Sequence, residues 1–305
     1  MANLDPLDSA DTSRLAAFDE HRGLLFSIAY RMLGSVADTE DILQETFIRW
    51  LKAPAEEVRS AKAFLITIIT RLSINYLQSA RVRREEYVGQ WLPEPLITND
   101  ESDPTALFQT GESLSIAFLV LMERLNPTER AVFLLREIFD YEYGEIAAAL
   151  GQSEANCRQI LRRARQHIRA ERPRFKPSAE EHDELLERFR QATGSGDVNA
   201  LVALLSADVV LHTDGGGKAP ALPNQIHGAD RVARAIVGGM TRLAPGNLVE
   251  RMVQINGEPG IVTYQNGRPF GVFTIQVREG RIAAIYGITN PDKLAHLPGL
   301  PGAPS

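Results

Sequence analysis

The stretch from Asn126 to Arg169 constrains this chain more than any other. Asn126-Pro127-Thr128-Glu129 combines three helix-start signals: an amide that caps free backbone N–H groups, a proline at the first helical position, and a glutamate three residues after the cap. A second short helix is expected from about Tyr143 to Leu150, with Gly151 to stop it. After a short turn, Ser153 is placed to cap a third helix reaching about Ile168. Within it Cys157, Leu161, Ala164 and Ile168 recur at helical spacing. Ala155, Gln159, Arg162 and Gln166 take the opposite face, flanked by Arg158 and Arg163. This is the pattern of a helix-turn-helix, whose last helix can lie in a DNA major groove. Seven arginines between Arg158 and Arg174, against the single acid Glu171, suit phosphate contacts. A solvated helical hairpin with surface arginines has the same local pattern, so the rest of the chain has to decide.

Composition narrows the choice. A chain of 305 residues has room for two or three domains, and 44% hydrophobic with 24% charged residues is ordinary for a globular protein. The net charge of −6 argues against a generally basic nucleic-acid coat, so any DNA contact must come from local patches. One cysteine, Cys157, excludes a disulfide framework and zinc held through cysteines, and core packing is its expected role. The start of the chain is polar and acidic, without a signal-peptide pattern. The apolar run Ala63 to Ile69 is too short to span a membrane. A cytoplasmic protein with no membrane partner is expected.

The expected architecture is multidomain, with two all-α domains followed by an α+β domain. Residues 13–88 read as one helical domain. Phe18, Leu25, Ile28, Ala29, Met32 and Leu33 form an apolar stripe, and Asp38 is read as the cap of a helix from Thr39 to Leu51. A third helix, about Ala63 to Arg84, begins apolar and ends in Arg81, Arg83 and Arg84. Residues 89–110 read as a linker, because the prolines of Trp91-Leu92-Pro93-Glu94-Pro95 break helix and an acidic run follows. Residues 111–175 form the second helical domain. From 178 to 297 helices and strands mix. Asn256-Gly257, Asn266-Gly267 and Glu279-Gly280 are hairpin turns in a four-stranded antiparallel meander packed on helices.

Three segments carry a resemblance: Ala37 to Phe47, Ala63 to Leu77, and Leu125 to Ile168. In this order they resemble the extracytoplasmic-function sigma factors of bacterial RNA polymerase, a group of the sigma-70 family with only regions 2 and 4. The resemblance implies that Asp41, Gln44 and Glu45 dock on the clamp helices of the β′ subunit, with a further contact on the β flap. It implies that Arg71, Asn75, Arg81, Arg83 and Arg84 engage the −10 element, combining phosphate neutralisation with an amide able to read a base edge. It implies −35 contacts from Ser153, Asn156, Arg158, Gln159, Arg162 and Arg163. The loop Ala53 to Lys62 lies where the family holds an extruded promoter base, although it is poor in aromatics. Trp50 and Tyr76 read as core residues.

The last domain resembles NTF2-like folds of the SnoaL type, a curved sheet wrapped by helices around a pocket. Asp214-Gly215-Gly216-Gly217-Lys218, Asn290-Pro291-Asp292-Lys293-Leu294 and the linker motif with Trp91 and Pro93 match the sigma-factor subgroup with a fused C-terminal regulatory domain. The resemblance implies control of the sigma domains in cis through these residues, and a pocket open to a small ligand of unknown identity. Taken alone, the glycine run also fits a hairpin loop and Asn290-Pro291 a helix start. An alternative makes the domain an independent ligand-binding or isomerase-like passenger, with His212 and Asp214 at a strand end near the pocket mouth. No second placed acid, nucleophile pair or metal-ligand spacing accompanies them, so the chain is expected not to be an enzyme and to need no cofactor or metal.

Overall fold

A computed structural model of the chain describes residues 9–54, 58–85, 87–98, 114–168, 178–243 and 247–300. These fall into two compact units. The first takes the described residues up to 82 and from 122 to 168. The second takes those from 83 to 98, from 114 to 121 and from 178 onward.

The first unit is helical. Helix α1 (Ser9–Leu33) and helix α2 (Val36–Lys52) form an antiparallel pair, with Phe18, Leu25, Ile28, Ala29, Met32 and Leu33 buried. The cap of α2 is Ser35 rather than Asp38: its hydroxyl accepts from the Asp38 N–H at 3.2 Å. Gly34, at φ 69°, turns the chain sharply after α1, so the break falls three residues earlier than the acid suggests. Asp38 instead sits in the first turn, where its charge suits the helix dipole. Helix α3 (Ala61–Glu85) follows, with Leu65, Ile69, Leu72 and Leu77 buried. Trp50 is buried, and its indole N–H donates to the Arg14 carbonyl at 2.8 Å.

After helix α4 (Ile116–Met122) comes α5 (Pro127–Phe133), which opens on a complete capping box. The Asn126 side chain accepts from the Thr128 and Glu129 N–H groups, and Glu129 returns a bond to the Asn126 N–H. The helix widens into a π-helical turn at Leu134–Ile138, which local periodicity does not signal. Helix α6 (Tyr143–Leu150) ends at Gly151 in the left-handed conformation, and α7 (Glu154–Ile168) buries Cys157, Leu161, Ala164 and Ile168. The spacing of those four residues is what seats α7 against α5 and α6 and turns its arginines outward.

The second unit is built on a six-stranded sheet in the order β2-β1-β6-β5-β4-β3. Its elements are α8 (Ala179–Ser195), α9 (Val198–Leu204), β1 (Leu205–Asp214), β2 (Ile226–His227), α10 (Ala229–Leu243), β3 (Val249–Ile255), β4 (Glu258–Gln265), β5 (Arg268–Arg278), β6 (Arg281–Ile288) and α11 (Pro291–Leu294). Each of the three expected hairpin dipeptides has both residues at positive φ and joins strands through two residues, as type I′ turns require. The expected four-stranded meander, β3-β4-β5-β6, is antiparallel throughout, and β1 adds to it parallel to β6, which makes the whole sheet mixed. That pairing joins strands far apart in the chain, and no hairpin signal marks it.

The two sheet faces are covered differently. Against one lie α8, α9 and α10, around a core that includes Leu186, Val209, Val232 and Ile285. Against the other lie Leu92, Ile116, Leu294 and Leu297, packed on Val262, Tyr264 and Tyr286. Residues read as linker and as the start of the second helical domain thus belong to the sheet's core. Ile97 forms an antiparallel bridge with Ile255, and the Asn256 N–H donates to the Leu96 carbonyl at 2.7 Å. The buried Asn256 side chain accepts from the Leu96 N–H and donates to the Leu114 carbonyl, at 2.9 and 3.1 Å. One hairpin-turn asparagine therefore holds two separate stretches of chain.

Candidate functional site

Helix α7 presents a charged face. Arg158, Gln159, Arg162 and Arg163 are exposed, and Asn156 is half-buried. Three of the expected contact residues have local partners, and two of them meet in the cap: the Ser153 hydroxyl accepts from the Asn156 N–H at 3.2 Å, and the Asn156 amide donates to Gln152 at 2.7 Å. Arg158 pairs with Glu154 at 2.8 Å and lies 4.7 Å over the Tyr143 ring. Arg165 pairs with Glu137. Gln159, Arg162 and Arg163 have no such partner among the described residues, so their polar groups face solvent. Tyr143, which also stacks on Arg136, orients this surface and had no sequence signal beyond being an aromatic at a helix start. Burial pushes the Cys157 thiol above its ordinary value, in keeping with a packing role.

On α3, Asn75 is exposed, while Arg71 donates from Nε to the Ala149 carbonyl at 2.7 Å, at the C-terminal end of α6. A cation at that end of a helix also meets its dipole favourably. Lys62 lies 5.7 Å from the Tyr141 ring, within the same unit. Arg81, Arg83 and Arg84 lie on the helical backbone of α3, and their side chains lie outside the described residues, as do positions 55–57 of the loop before it. Two arginines that periodicity did not single out are buried. Arg130 donates to the Met32 carbonyl at 2.5 Å and pairs with Glu123, and Arg31 lies over Phe139. Burial lowers the Arg31 guanidinium to about 10.

On α2, Asp41 and Gln44 are exposed and Glu45 is half-buried, pairing with Arg49 at 2.7 Å. Ile48 lies on the same face and is 45% exposed. An apolar side chain inside an acid-amide patch suits a protein partner better than water.

The three remaining motifs meet at one carboxylate. Asp214, at the end of β1, is 0% exposed and accepts four hydrogen bonds. The donors are the Tyr87 hydroxyl at 2.6 Å, the Leu92 N–H at 2.8 Å, the Gly216 N–H at 3.0 Å and Lys293 Nζ at 2.7 Å. Lys293 also donates to the Leu92 carbonyl and lies 4.2 Å from the Trp91 ring centre and 5.1 Å from that of Tyr87. Asn290 donates from its amide to the Tyr87 hydroxyl at 2.8 Å, while its oxygen caps Asp292. Pro291 opens the short α11. Pro93 is buried, and Lys218 and Asp292 close the rim with an exposed pair at 2.5 Å.

The glycine run is what lets these groups approach. A Cβ at Gly216 (φ 57°) would lie 2.2 Å from the Asn290 amide nitrogen, and one at Gly215 would lie 2.2 Å from the Ala219 carbonyl. A Cβ at Gly217 (φ 70°) would lie 3.1 Å from Val88, a tight contact, and the positive φ itself favours glycine. Burial, reinforced by the hydrogen bond to the Asp214 carboxylate and by its charge, raises the Tyr87 phenol well above its usual range. A buried carboxylate with four donors and a buried ammonium between two rings compensate each other's desolvation.

The same strand borders a cavity of about 270 Å³ on the opposite sheet face, lined among others by Leu211, Thr213, Ile261, Phe273 and Thr289. This corrects the placement of His212 and Asp214 at the pocket mouth. Alternation along β1 turns Leu211 and Thr213 into the cavity and sends His212 and Asp214 the other way. His212 stacks on Tyr286 at 5.0 Å, and Asp214 lies in the cluster just described. Glu250 is the ionisable residue of the cavity lining among the described residues. No helix among the described residues is long and apolar enough to cross a membrane.

The family model for sigma-70 region 2 matches residues 17–83, and that for sigma-70 region 4 matches residues 115–168. The chain is 37% identical over 295 residues to the ECF RNA polymerase sigma factor SigJ of Mycobacterium tuberculosis, covering 93% of this chain and 94% of that one. It is 29% identical over 281 residues to the probable ECF RNA polymerase sigma factor SigI of the same species, covering 92% and 94%. The crystal structure of Mycobacterium tuberculosis SigJ superposes with a TM-score of 0.76 at 35% identity, covering 92% of this chain and 98% of the other.

Proposed function

The chain belongs to the extracytoplasmic-function sigma factors of RNA polymerase, and from that membership we infer how its parts share the work of promoter-directed initiation. As a sigma factor it binds core RNA polymerase and directs transcription initiation at −35/−10 promoters. In our reading α7 enters the −35 major groove with Gln159, Arg162 and Arg163 foremost, because they are exposed and have no partner among the described residues. Arg158 joins them from its seat on Tyr143, and Ser153 and Asn156 set the angle of entry through the cap. Arg71 and Asn75, continued by Arg81, Arg83 and Arg84, serve the −10 element. Arg71 exchanges the Ala149 carbonyl for a phosphate when the contact between α3 and α6 opens on polymerase. Asp41, Gln44 and Glu45, with Ile48 one turn further along the same face, dock on the β′ clamp helices, and the β flap supplies a further contact.

The C-terminal domain acts in cis. The observation that carries this is the convergence on Asp214: Tyr87, Trp91 and Leu92, just beyond α3, are held by the same buried carboxylate and ammonium as the two motifs of the C-terminal domain. Whatever holds residues 87–98 also limits where the segment leading to the second DNA-binding module can go, and a tethered contact acts at high effective concentration. Run-off transcription with core polymerase tests it. Truncation after Thr289, which removes Asn290 to Lys293, and Lys293→Met both change transcript yield on the same promoter. Wild-type yield from both variants refutes regulation in cis and leaves the domain a passenger.

A further inference from the structure

We propose that the cavity between the sheet and α10 is a receptor site for a small, uncharged, largely apolar molecule, and that its occupancy is felt by residues 87–92 through Thr213–Asp214 and Thr289–Asn290. The proposal deepens the reading of the C-terminal domain as a regulator in cis and rests on it.

The chemistry of the lining selects the ligand class. Leucine, isoleucine and phenylalanine side chains dominate the wall. Its four threonine hydroxyls all donate to backbone carbonyls: Thr193 to Phe189 and Arg190, Thr213 to Leu222, Thr263 to Gly271, and Thr289 to Asp214 and Pro220. No cationic residue is among the lining groups of the described residues, and Glu250 has Arg190 3.6 Å away. An anionic ligand would therefore lose its water beside a carboxylate and meet no cation of the described lining in exchange. At about 270 Å³ the cavity exceeds the ~150 Å³ that suffices for benzene in an apolar protein interior, so a bicyclic aromatic or a similar hydrocarbon skeleton fits.

Helix α10 supplies a second observation. It carries Gly238-Gly239 in its interior, where each glycine lowers helix stability relative to alanine. Among the described residues a Cβ at either position meets nothing within 4 Å, so crowding by them does not account for the glycines, and Gly239 lines the cavity. The missing side chain at Gly239 leaves that part of the wall open.

Coupling follows from adjacency along two strands. Thr213 lines the cavity and Asp214 is its neighbour. Thr289 lines the cavity, Asn290 is its neighbour, and the N–H groups of both donate to the Asp214 carbonyl, at 2.8 and 3.0 Å. Pro220 and Ala221 of the wall follow the glycine run after Lys218 and Ala219, and Gly215 stands against Ala219 with no space for a methyl group. A ligand that shifts Thr213 or Thr289 thus displaces the carboxylate that holds the Leu92 N–H and the Tyr87 hydroxyl.

The test uses the full chain and the neutral fluorophore N-phenyl-1-naphthylamine. Saturable binding is expected, lost in Gly239→Phe and Ala235→Phe, two variants that fill the cavity from α10 and whose folding is checked by circular dichroism. Naphthalene-2-carboxylate should not compete. At saturation, amide hydrogen exchange in the peptide spanning residues 87–92 should change about fivefold or more in wild type and not in the filled variants. Absence of saturable binding, binding that survives both filling variants, or equal competition by the carboxylate overturns the assigned site or ligand class. Unchanged exchange at saturation overturns the coupling. None of these readouts requires polymerase, so their failure is separable from a failure of the transcription test of regulation in cis.

Discussion

Replacing Lys293 by Met tests whether the Asp214 cluster holds the second unit together. Methionine keeps the length and apolar stem that pack between Trp91 and Tyr87 while removing the charge. The side chains of Lys293 and Asp214 are 6% and 0% exposed, so the loss leaves a carboxylate sealed from water with three neutral donors and no cation. Removing one partner of such a pair costs about 3–5 kcal/mol, against ~0–1 kcal/mol for an exposed pair such as Lys218–Asp292. With a urea slope of ~2 kcal/mol per M, the unfolding midpoint should fall by about 1.5–2.5 M. Trp91 emission in a Trp50→Phe background is the assay, because it reports the second unit alone in a protein that need not unfold in one step. Asp214→Asn should cost a similar amount, and the double variant less than the sum, with a coupling of about 1–3 kcal/mol. A shift corresponding to less than about 1 kcal/mol for Lys293→Met, or strict additivity of the two changes, would refute the reasoning.

Three further outcomes are expected. Arg162→Ala should weaken binding to a −35 duplex by about 1–3 kcal/mol if its contact is to a base edge, and should lower the salt dependence if to a phosphate; unchanged affinity and slope mean that α7 presents another face to DNA. Asp41→Arg and Ile48→Asp should each reduce affinity for core polymerase, while unfolding shifts by no more than about 0.5 kcal/mol because both sites are open to solvent; wild-type affinity in both dismisses that face of α2. The Tyr87 phenol is raised in the folded state, so its contribution is whole below its ordinary value of 10.0 and is lost as pH rises beyond it. The urea midpoint read by Trp91 should therefore fall at alkaline pH more in wild type than in Tyr87→Phe, a comparison that cancels the similarly raised Tyr264; equal slopes would show that the phenol is not linked to folding.

Much of the helix-turn-helix is legible in the sequence because its instructions are local. The Asn126 cap, the Gly151 stop and the four-residue apolar repeat of α7 act within one or two turns, so neighbours in the chain settle where the arginines point. The hairpin dipeptides are local in the same sense: positive φ at two successive residues selects the turn and with it the strand register. Even here a competing signal misled. Asp38 looked like a cap, and the left-handed Gly34 had already moved the helix start to Ser35.

What only tertiary structure decided involves partners far apart in the chain. Arg71 meets the end of α6 across 78 residues, and Asp214 meets Lys293 across 79 and Leu92 across 122. The motifs around Trp91, Asp214 and Asn290 are readable one at a time, as a proline-broken stretch, a glycine run and a helix start, but nothing in their spacing says that they share a carboxylate. That requires β1 to lie parallel to β6, which brings the ends of both strands together and leaves a buried charge to be satisfied by whichever segment passes. The same alternation of strand faces sent Thr213 to the cavity and Asp214 to the cluster, a one-residue difference that is meaningless until the sheet has two differently covered sides.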